Sequence, residues 1–159
     1  MPQPTSAPVV KGGQFLTFRL MKEKYGIEIL KVREIIGMID ITPVPQTPPF
    51  VKGVINLRGK IIPVVDLRIK FGMDSTEYSK ETCMIIVDLK AKQVALIVDA
   101  VHDVVDLKSD NIDEASFGIQ INTEFISGIG KLGSEVVILL QIDRILSSEE
   151  FVAVNTLGA

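Results

Sequence analysis

Short apolar runs, separated by glycine, proline or charged turns, recur along the chain and predict β-strands. In the first half, QFLTFRL and YGIEILKV predict two strands joined by the turn MKEK, and REIIGMIDITPV predicts a third. VINL and KIIPVV predict strands four and five, joined across Arg58–Gly59. The segment DLRIKFG then predicts a short helix that ends at Gly72. Pro63, inside the fifth strand, predicts that this strand lies at a sheet edge or is bulged there.

The same pattern occurs twice in the chain. FLTFRLMKEKYGIEILKVREII from Phe15 aligns with MIIVDLKAKQVALIVDAVHDVV from Met84, at an offset of 84 − 15 = 69 residues. FVKGVINLRGKIIPVVDL from Phe50 aligns with FISGIGKLGSEVVILLQI from Phe125, at an offset of 125 − 50 = 75 residues. The difference, 75 − 69 = 6 residues, belongs to the polar stretch 108–124. Such a duplication predicts two halves that fold alike and pack about a pseudo-dyad.

Five short strands with glycine and proline turns in each half predict a mainly β fold. We expect two pseudo-symmetric, five-stranded SH3-like barrels with short helices and one C-terminal helix. The segment MPQPTSAPVVKGG is rich in proline and lacks the apolar run of a signal peptide, which predicts a flexible tail. The predicted limits are a tail over 1–12, a domain over 13–150, subdomains at about 14–70 and 83–145, and a C-terminal helix at about 143–154.

Charge and cysteine content exclude several classes of function. The net charge of −3 argues against nucleic acid or an anionic membrane as a partner. No apolar run approaches the roughly 18 residues of a membrane span. Cys83 is the single cysteine, which excludes an internal disulfide and fits a reducing compartment. It begins an apolar strand, so we expect it to pack as a small apolar group. The expectation is a cytoplasmic protein without direct membrane insertion.

Side chains suited to catalysis or metal binding are few. His102 is the single histidine, and it aligns with Arg33 of the first half, which predicts an outward-facing polar position. Asp99, Asp103 and Asp106 follow at spacings of four and three, which on a helix would suggest a cation site. Their segment aligns with a strand, so a solvated acidic edge is the favoured interpretation. We therefore expect no catalytic residue, no metal and no cofactor, and a binding module remains.

The turn between strands four and five differs between the two halves. It is NLRG at 56–59 and KLGS at 131–134. Arg58 adds a rigid planar donor at the tip of the hairpin, and Gly59 supplies the freedom that a tight turn needs. An isolated arginine at an exposed turn would be interpreted as solubilising. Here Val32 and Glu34 lie on another predicted strand, and arginine beside apolar and acidic residues is typical of a partner site.

Three segments of the sequence resemble a known family. YGIEILKVREIIG, TPPFVKGVINLRGKIIPVVDLRIKFG and FISGIGKLG are similar to the chemotaxis coupling proteins, the CheW family, over about Gln14 to Glu150. The resemblance implies two interlocked SH3-like barrels without catalytic activity. It implies a signalling adaptor, or scaffold, of the two-component chemotaxis system. A length of 159 residues leaves no room for the kinase or receiver domains that accompany this domain in other proteins.

The resemblance also implies the partners and the residues that meet them. The expected partners are the cytoplasmic tip of a chemoreceptor (a methyl-accepting chemotaxis protein) and the regulatory domain of the histidine kinase CheA. We expect a monomer in isolation that joins receptor arrays at the membrane. The candidate for the kinase contact is Phe117, in the polar stretch 108–124 that carries the six extra residues. The positions carried over for receptor binding are Val32, Glu34, Gly53, Asn56, Leu57 and Arg58.

Two other functions stay open from the sequence. One is a small SH3-like module that binds a protein or nucleic acid in another signalling system, although the acidic balance argues against nucleic acid. The other is a small hydrolase that uses His102 and an aspartate. The hydrolase predicts a turnover that His102→Ala abolishes, whereas the adaptor predicts no turnover at all.

Overall fold

A computed structural model describes residues 12–74, 77–113 and 125–155. Apart from Gly12, the predicted tail lies outside the described residues. The fold is mainly β, as predicted. The described strands are β1 (Gly13–Leu20), β2 (Glu23–Glu28), β3 (Val32–Gly37), β4 (Val51–Leu57), β5 (Lys60–Asp66), β6 (Cys83–Leu89), β7 (Lys92–Val98), β8 (Ala100–Leu107), β9 (Ile112–Asp113), β10 (Ile126–Leu132) and β11 (Glu135–Leu140); the α-helices are α1 (Leu67–Lys70) and α2 (Ser148–Asn155).

The strands repeat at the two offsets that the sequence predicts. β2 begins at residue 23 and β7 at residue 92, and 92 − 23 = 69. β4 begins at residue 51 and β10 at residue 126, and 126 − 51 = 75. A β-bulge repeats as well, between Val51 and Gly53 in β4 and between Ile126 and Gly128 in β10. The prediction of two pseudo-symmetric halves is therefore confirmed.

Each sheet takes strands from both halves of the sequence. One sheet has the order β3-β6-β7-β5-β4, and the other has the order β8-β1-β2-β11-β10-β9. The halves join through parallel pairs, β5 with β7 at Val64–Asp66 and β2 with β11 at Lys24–Gly26. We call the first sheet barrel one and the second barrel two. The predicted limits of 14–70 and 83–145 follow the sequence repeat, while the barrels themselves are interlocked.

In each sheet, a short segment of the chain pairs with the edge strand and closes the sheet into a barrel. In barrel one, the chain that follows β3 crosses β4 at Thr42, which exchanges two hydrogen bonds with Val54, of 2.8 and 2.9 Å. In barrel two, β9 pairs with β10 at the matching place. The backbone N–H and C=O of Val54 bond to Thr42 and therefore point away from β5. Pro63, which lies opposite Val54 on β5, is thus not required to donate a backbone hydrogen bond to β4. β5 lies between β4 and β7 and is regular at Pro63, so the prediction of an edge or bulged strand is wrong. The proline is tolerated because β5 pairs with β7 only from Val64 onward, which leaves β4 alone beside Pro63.

In the part of the chain that the structure describes, alternate faces of the strands build three apolar cores. Ile85, Val87 and Leu89 of β6 face a large core between the two barrels, which we call the junction core. Met84 and Ile86, on the opposite face of the same strand, belong to the core inside barrel one. Phe15, Leu107, Val137 and Leu139 form the smaller core inside barrel two. Since each buried aliphatic side chain contributes about 1.5–3 kcal/mol, the junction core couples the barrels into one folding unit.

A buried arginine fastens α1 to the second half. Asp66 caps α1 by accepting from the Arg68 amide at 3.0 Å, and it accepts from the Tyr78 hydroxyl at 2.8 Å. The Arg68 guanidinium lies 3.1 Å from the Asp99 carboxylate, between β7 and β8. Partial burial, followed by the hydrogen bond to Asp66, raises the pKa of Tyr78, which keeps this phenol a donor. Asp99 is thus an ion-pair partner, and the predicted solvated acidic edge is wrong for this residue.

The C-terminal helix starts later than predicted. A 3₁₀ turn covers Ile142–Arg144, and α2 begins only at residue 148. Ser147 and Glu150 form a capping box: Ser147 Oγ accepts from the Glu150 amide at 3.1 Å, and Glu150 Oε1 accepts from the Ser147 amide at 2.8 Å. The reciprocal cap fixes the start of the helix, while Ile145 and Leu146 are buried in the preceding bend.

Helix α2 docks across the junction of the two halves. Val154 is buried in the junction core. Glu150 lies 3.1 Å from Lys70 Nζ on α1, and Lys90 Nζ, in the β6–β7 turn, lies 4.9 Å from the centre of the Phe151 ring. Burial alone raises the pKa of Glu150, but the Ser147 hydrogen bond and the Lys70 ammonium together hold that pKa below its usual value.

Acidification should release α2 before it unfolds the barrels. A lowered folded-state pKa stabilises docking above the ordinary glutamate pKa, and that contribution is lost as the pH falls below the ordinary value and through the lowered one. We expect the backbone chemical shifts of residues 148–155 to move in an acid titration while those of β6 and β7 hold. Glu150→Gln is the control, and an identical titration in that variant would contradict the assignment.

Candidate functional site

The β4–β5 hairpin carries the donor that the sequence singled out. Two residues form its turn, Arg58 with φ +53° and Gly59 with φ +87°. Positive φ at both central residues is the requirement of a type I′ turn, whose twist matches that of the flanking strands. The Asn56 side chain closes the turn, because its Oδ1 accepts from the Gly59 amide at 2.8 Å. Arg58 therefore sits at the tip of a tight, hydrogen-bonded hairpin.

Arg58 and Glu34 form an ion pair across barrel one. Arg58 Nη2 donates to Oε1 of Glu34, which lies on β3. The Arg58 side chain is 68% exposed, so the pair contributes no more than about 1 kcal/mol to folding. The contact nevertheless holds a planar donor beside a carboxylate at the surface, where both can meet a partner.

Gly53 occupies a buried crossing point of the backbone. Its φ is +141°, and a Cβ built on it would lie 2.1 Å from the Thr42 carbonyl oxygen. The segment that closes barrel one crosses β4 at this place. Gly53 was carried over as a receptor-binding position, and the backbone that approaches it here belongs to Thr42 and Pro43 of the same chain.

Val32 and Leu57 offer less surface than their predicted role suggests. Val32 pairs with Val87 on β6 and packs against the junction core. Leu57 packs against the core inside barrel one. Both side chains are half-buried. Of the six predicted positions, Asn56 and Arg58 are the exposed ones, and the structure brings Arg58 together with Glu34.

Exposed apolar side chains on both barrels were missed by the sequence reasoning. Leu30, in the 3₁₀ turn before β3, is 89% exposed. Ile35 on β3 and Ile61 on β5 are also exposed, and their counterparts at 35 + 69 = 104 and 61 + 75 = 136, Val104 and Val136, are exposed on barrel two. A signal was present, because side chains alternate between faces and one member of each Ile-Ile or Val-Val doublet must point outward.

Comparison with known proteins identifies the family of the chain. The family model described as CheW-like domain matches residues 14–150. The chain belongs to the CheW-like domain family. The chemotaxis protein CheW of Klebsiella aerogenes is 42% identical over 148 residues, which span 92% of this chain and 89% of that protein. The chemotaxis protein CheW of Helicobacter pylori is 33% identical over 136 residues, which span 86% of this chain and 82% of that protein.

A solved CheW structure has the same fold. The scaffolding protein TtCheW of Thermoanaerobacter tengcongensis superposes with a TM-score of 0.81 at 36% identity, covering 87% of this chain and 95% of that chain. CheW-like proteins are non-enzymatic chemotaxis scaffolds. The chain is accordingly a chemotaxis scaffold, or adaptor, and not an enzyme, which also excludes the hydrolase considered from the sequence.

The histidine, cysteine and aspartates that the sequence analysis considered for catalysis or metal binding differ in burial and contacts. His102 is exposed on β8, and Cys83 is half-buried at the start of β6, where burial raises the pKa of its thiol. Asp103 accepts from the Thr17 hydroxyl at 3.0 Å, and Asp106 is exposed. Within 12–74, 77–113 and 125–155, no group of three His, Cys, Asp or Glu side chains is arranged to hold a metal.

The remaining expectations concern Phe117 and the absence of a membrane span. Phe117, the candidate kinase contact, lies outside the described residues. Among the helices of the part that the structure describes, none has the length and apolar content to cross a bilayer.

Proposed function

We propose that this protein couples the cytoplasmic tips of transmembrane chemoreceptors to the histidine kinase CheA. Membership in a family of chemotaxis scaffolds supports the proposal, and the single observation that carries it is the exposed Arg58–Glu34 pair. The protein would act in the cytoplasm, as a monomer that joins receptor arrays beneath the membrane.

The receptor would meet the side of barrel one that carries this pair. Arg58 offers several N–H donors in a fixed plane, which suits carboxylates and backbone carbonyls of a helical partner. Ile35 on β3 and Ile61 on β5 are exposed apolar side chains of the same barrel, and apolar area together with charged groups is the usual composition of a partner surface. Val32 and Leu57 would contribute the edges of their half-buried side chains. Gly53 would act through the shape of β4.

The kinase would use other surfaces of the two barrels. The regulatory domain of CheA is expected to share this fold, and the exposed Val104 and Val136 leave apolar area on barrel two. Separate surfaces for receptor and kinase are what an adaptor needs, since both partners must bind at once. A small SH3-like module of another signalling system remains the alternative that the test must address.

Co-sedimentation tests the proposal. The full chain is mixed with a soluble fragment of a chemoreceptor tip, with CheA, and with both. We expect binding to each partner alone and a three-component complex when both are present. Binding to neither would overturn the proposal and favour the module of another system, and competition between the partners would overturn the separate surfaces.

Phe117→Ala should weaken the complex with CheA. An aromatic residue in a polar stretch is a candidate anchor for a partner, so its loss should reduce kinase binding while thermal stability changes by less than about 1 kcal/mol. Pull-down with CheA and thermal unfolding of the same preparation check this. A loss of several kcal/mol of stability would instead mean that Phe117 is a core residue.

A further inference from the structure

Arg58 holds a backbone conformation that its own side chain disfavours. Its φ of +53° lies in the left-handed region, where the Cβ of an ordinary residue crowds the following carbonyl. Asparagine, aspartate or glycine usually fills the first central position of a type I′ turn for this reason. An arginine here needs support from its neighbours to keep this geometry.

The Asn56 side chain supplies that support. Its Oδ1 accepts from the Gly59 amide at 2.8 Å. This amide belongs to the peptide plane between Arg58 and Gly59, so the hydrogen bond fixes the rotation of that plane and with it the backbone of Arg58. The last pair of the β4–β5 ladder is Leu57 with Lys60, so the Gly59 amide lies beyond the ladder and the Asn56 oxygen is its partner.

The matching hairpin of the second half has a different turn and no such asparagine. The position that matches Asn56 is 56 + 75 = 131, which is Lys131. The turn there places glycine first, Gly133 with φ +63°, and Ser134 is not among the residues with positive φ. A glycine carries no Cβ to crowd the carbonyl, so this turn forms without a side-chain acceptor. The asparagine acceptor thus accompanies the turn that places arginine first and has positive φ at both central residues, and the turn that places glycine first lacks it.

We propose that Asn56 is a positioning residue, which acts on receptor binding through Arg58 and does not itself contact the receptor. The inference rests on the proposed receptor site at Arg58. By holding the Arg58–Gly59 peptide, Asn56 sets the direction in which the guanidinium leaves the hairpin toward Glu34. The role of Asn56 as a direct receptor contact, implied by the family resemblance, is replaced by an indirect one.

A double-mutant cycle separates the two roles. Affinity for a soluble chemoreceptor-tip fragment is measured for the full chain, for Asn56→Ala, for Arg58→Ala and for the double variant. We expect Asn56→Ala alone to weaken binding about three- to tenfold, the range of one hydrogen bond. In the Arg58→Ala background the same change should have no further effect, because nothing remains to be positioned. An undiminished loss in that background would show direct contact and overturn the inference.

Two further variants sharpen the assignment. Asn56→Asp keeps an acceptor oxygen and removes the amide donors, so it should retain most of the receptor affinity and the native Arg58 and Gly59 backbone chemical shifts. Lys131→Ala, at the matched position of the second half, should leave receptor affinity unchanged. Loss of binding in Asn56→Asp with native chemical shifts would point to an amide donated to the receptor and would overturn the inference.

Failure of the proposed site gives a different result. If Arg58→Ala leaves receptor-tip binding unchanged, the proposed receptor site is wrong, whatever Asn56 does. If Arg58→Ala weakens binding and Asn56→Ala has no effect in either background, the site stands and the positioning role is overturned.

Discussion

Gly53→Ala is expected to destabilise the fold by about 3 kcal/mol or more. The new Cβ would lie 2.1 Å from the Thr42 carbonyl oxygen and 2.9 Å from Pro43 Cα, and φ of +141° is strained for any residue with a side chain. The crossing segment cannot move away cheaply, because Thr42 exchanges two hydrogen bonds with Val54 at this place. Backbone would have to separate from backbone, and the closure of barrel one would be lost.

Urea unfolding of two alanine variants beside Gly53→Ala isolates the cause. At Gly59, φ is +87° but nothing lies within 4 Å of a built Cβ, so only backbone strain of about 1 kcal/mol is expected. Gly37 has neither positive φ nor a near neighbour, so its substitution should change stability by less than about 0.5 kcal/mol. A Gly53→Ala variant no less stable than Gly59→Ala would show that the crossing is not tight. If that variant also lost receptor binding, Gly53 would have to contact the receptor directly.

The repeat was predictable from the sequence because it depends on the local order of apolar and polar residues. Strand length and alternation depend on neighbouring residues, so an offset of 92 − 23 = 69 between β2 and β7 is visible as matched letters. The pairing of β2 with β11 joins residues 24 and 137, and no local period specifies such a partner. The interlocked arrangement therefore came from the family resemblance and not from periodicity.

In the candidate site, too, some features were predictable from the sequence and others depend on the tertiary structure. Arg58 could be found because the second half supplies an internal comparison, in which the matching hairpin has glycine at that place. The contact of Arg58 with Glu34 spans 24 residues and depends on how barrel one closes, which the strand pattern does not encode. Gly53 was assigned a surface role because a glycine in a sequence does not show which backbone approaches it. The start of α2 was misplaced, although Ser147 and Glu150 had the spacing of a capping box.

Arg58→Glu is expected to weaken receptor binding by about a hundredfold or more. A partner that meets the guanidinium with carboxylates or carbonyls would instead face a like charge across a partly desolvated contact, which costs several kcal/mol. Folding stability should change by less than about 1 kcal/mol, because the Arg58–Glu34 pair is exposed and Arg58 lies in a turn outside the cores. Thermal unfolding and receptor-tip pull-down on one preparation check both expectations, and retained binding of CheA shows that the variant is folded.

The charge-swapped variant, Glu34→Arg with Arg58→Glu, decides what the arginine contributes. It restores an ion pair between β3 and the hairpin but leaves a carboxylate at the tip, so folding should match the parent chain while receptor binding stays lost. Recovery of receptor binding would mean that Arg58 matters only as the partner of Glu34. A large fall in melting temperature for Arg58→Glu alone would make the pair structural. Unchanged receptor binding and melting temperature would make Arg58 a solvated turn residue, in line with the matching hairpin of the second half, which has Gly133 at that place.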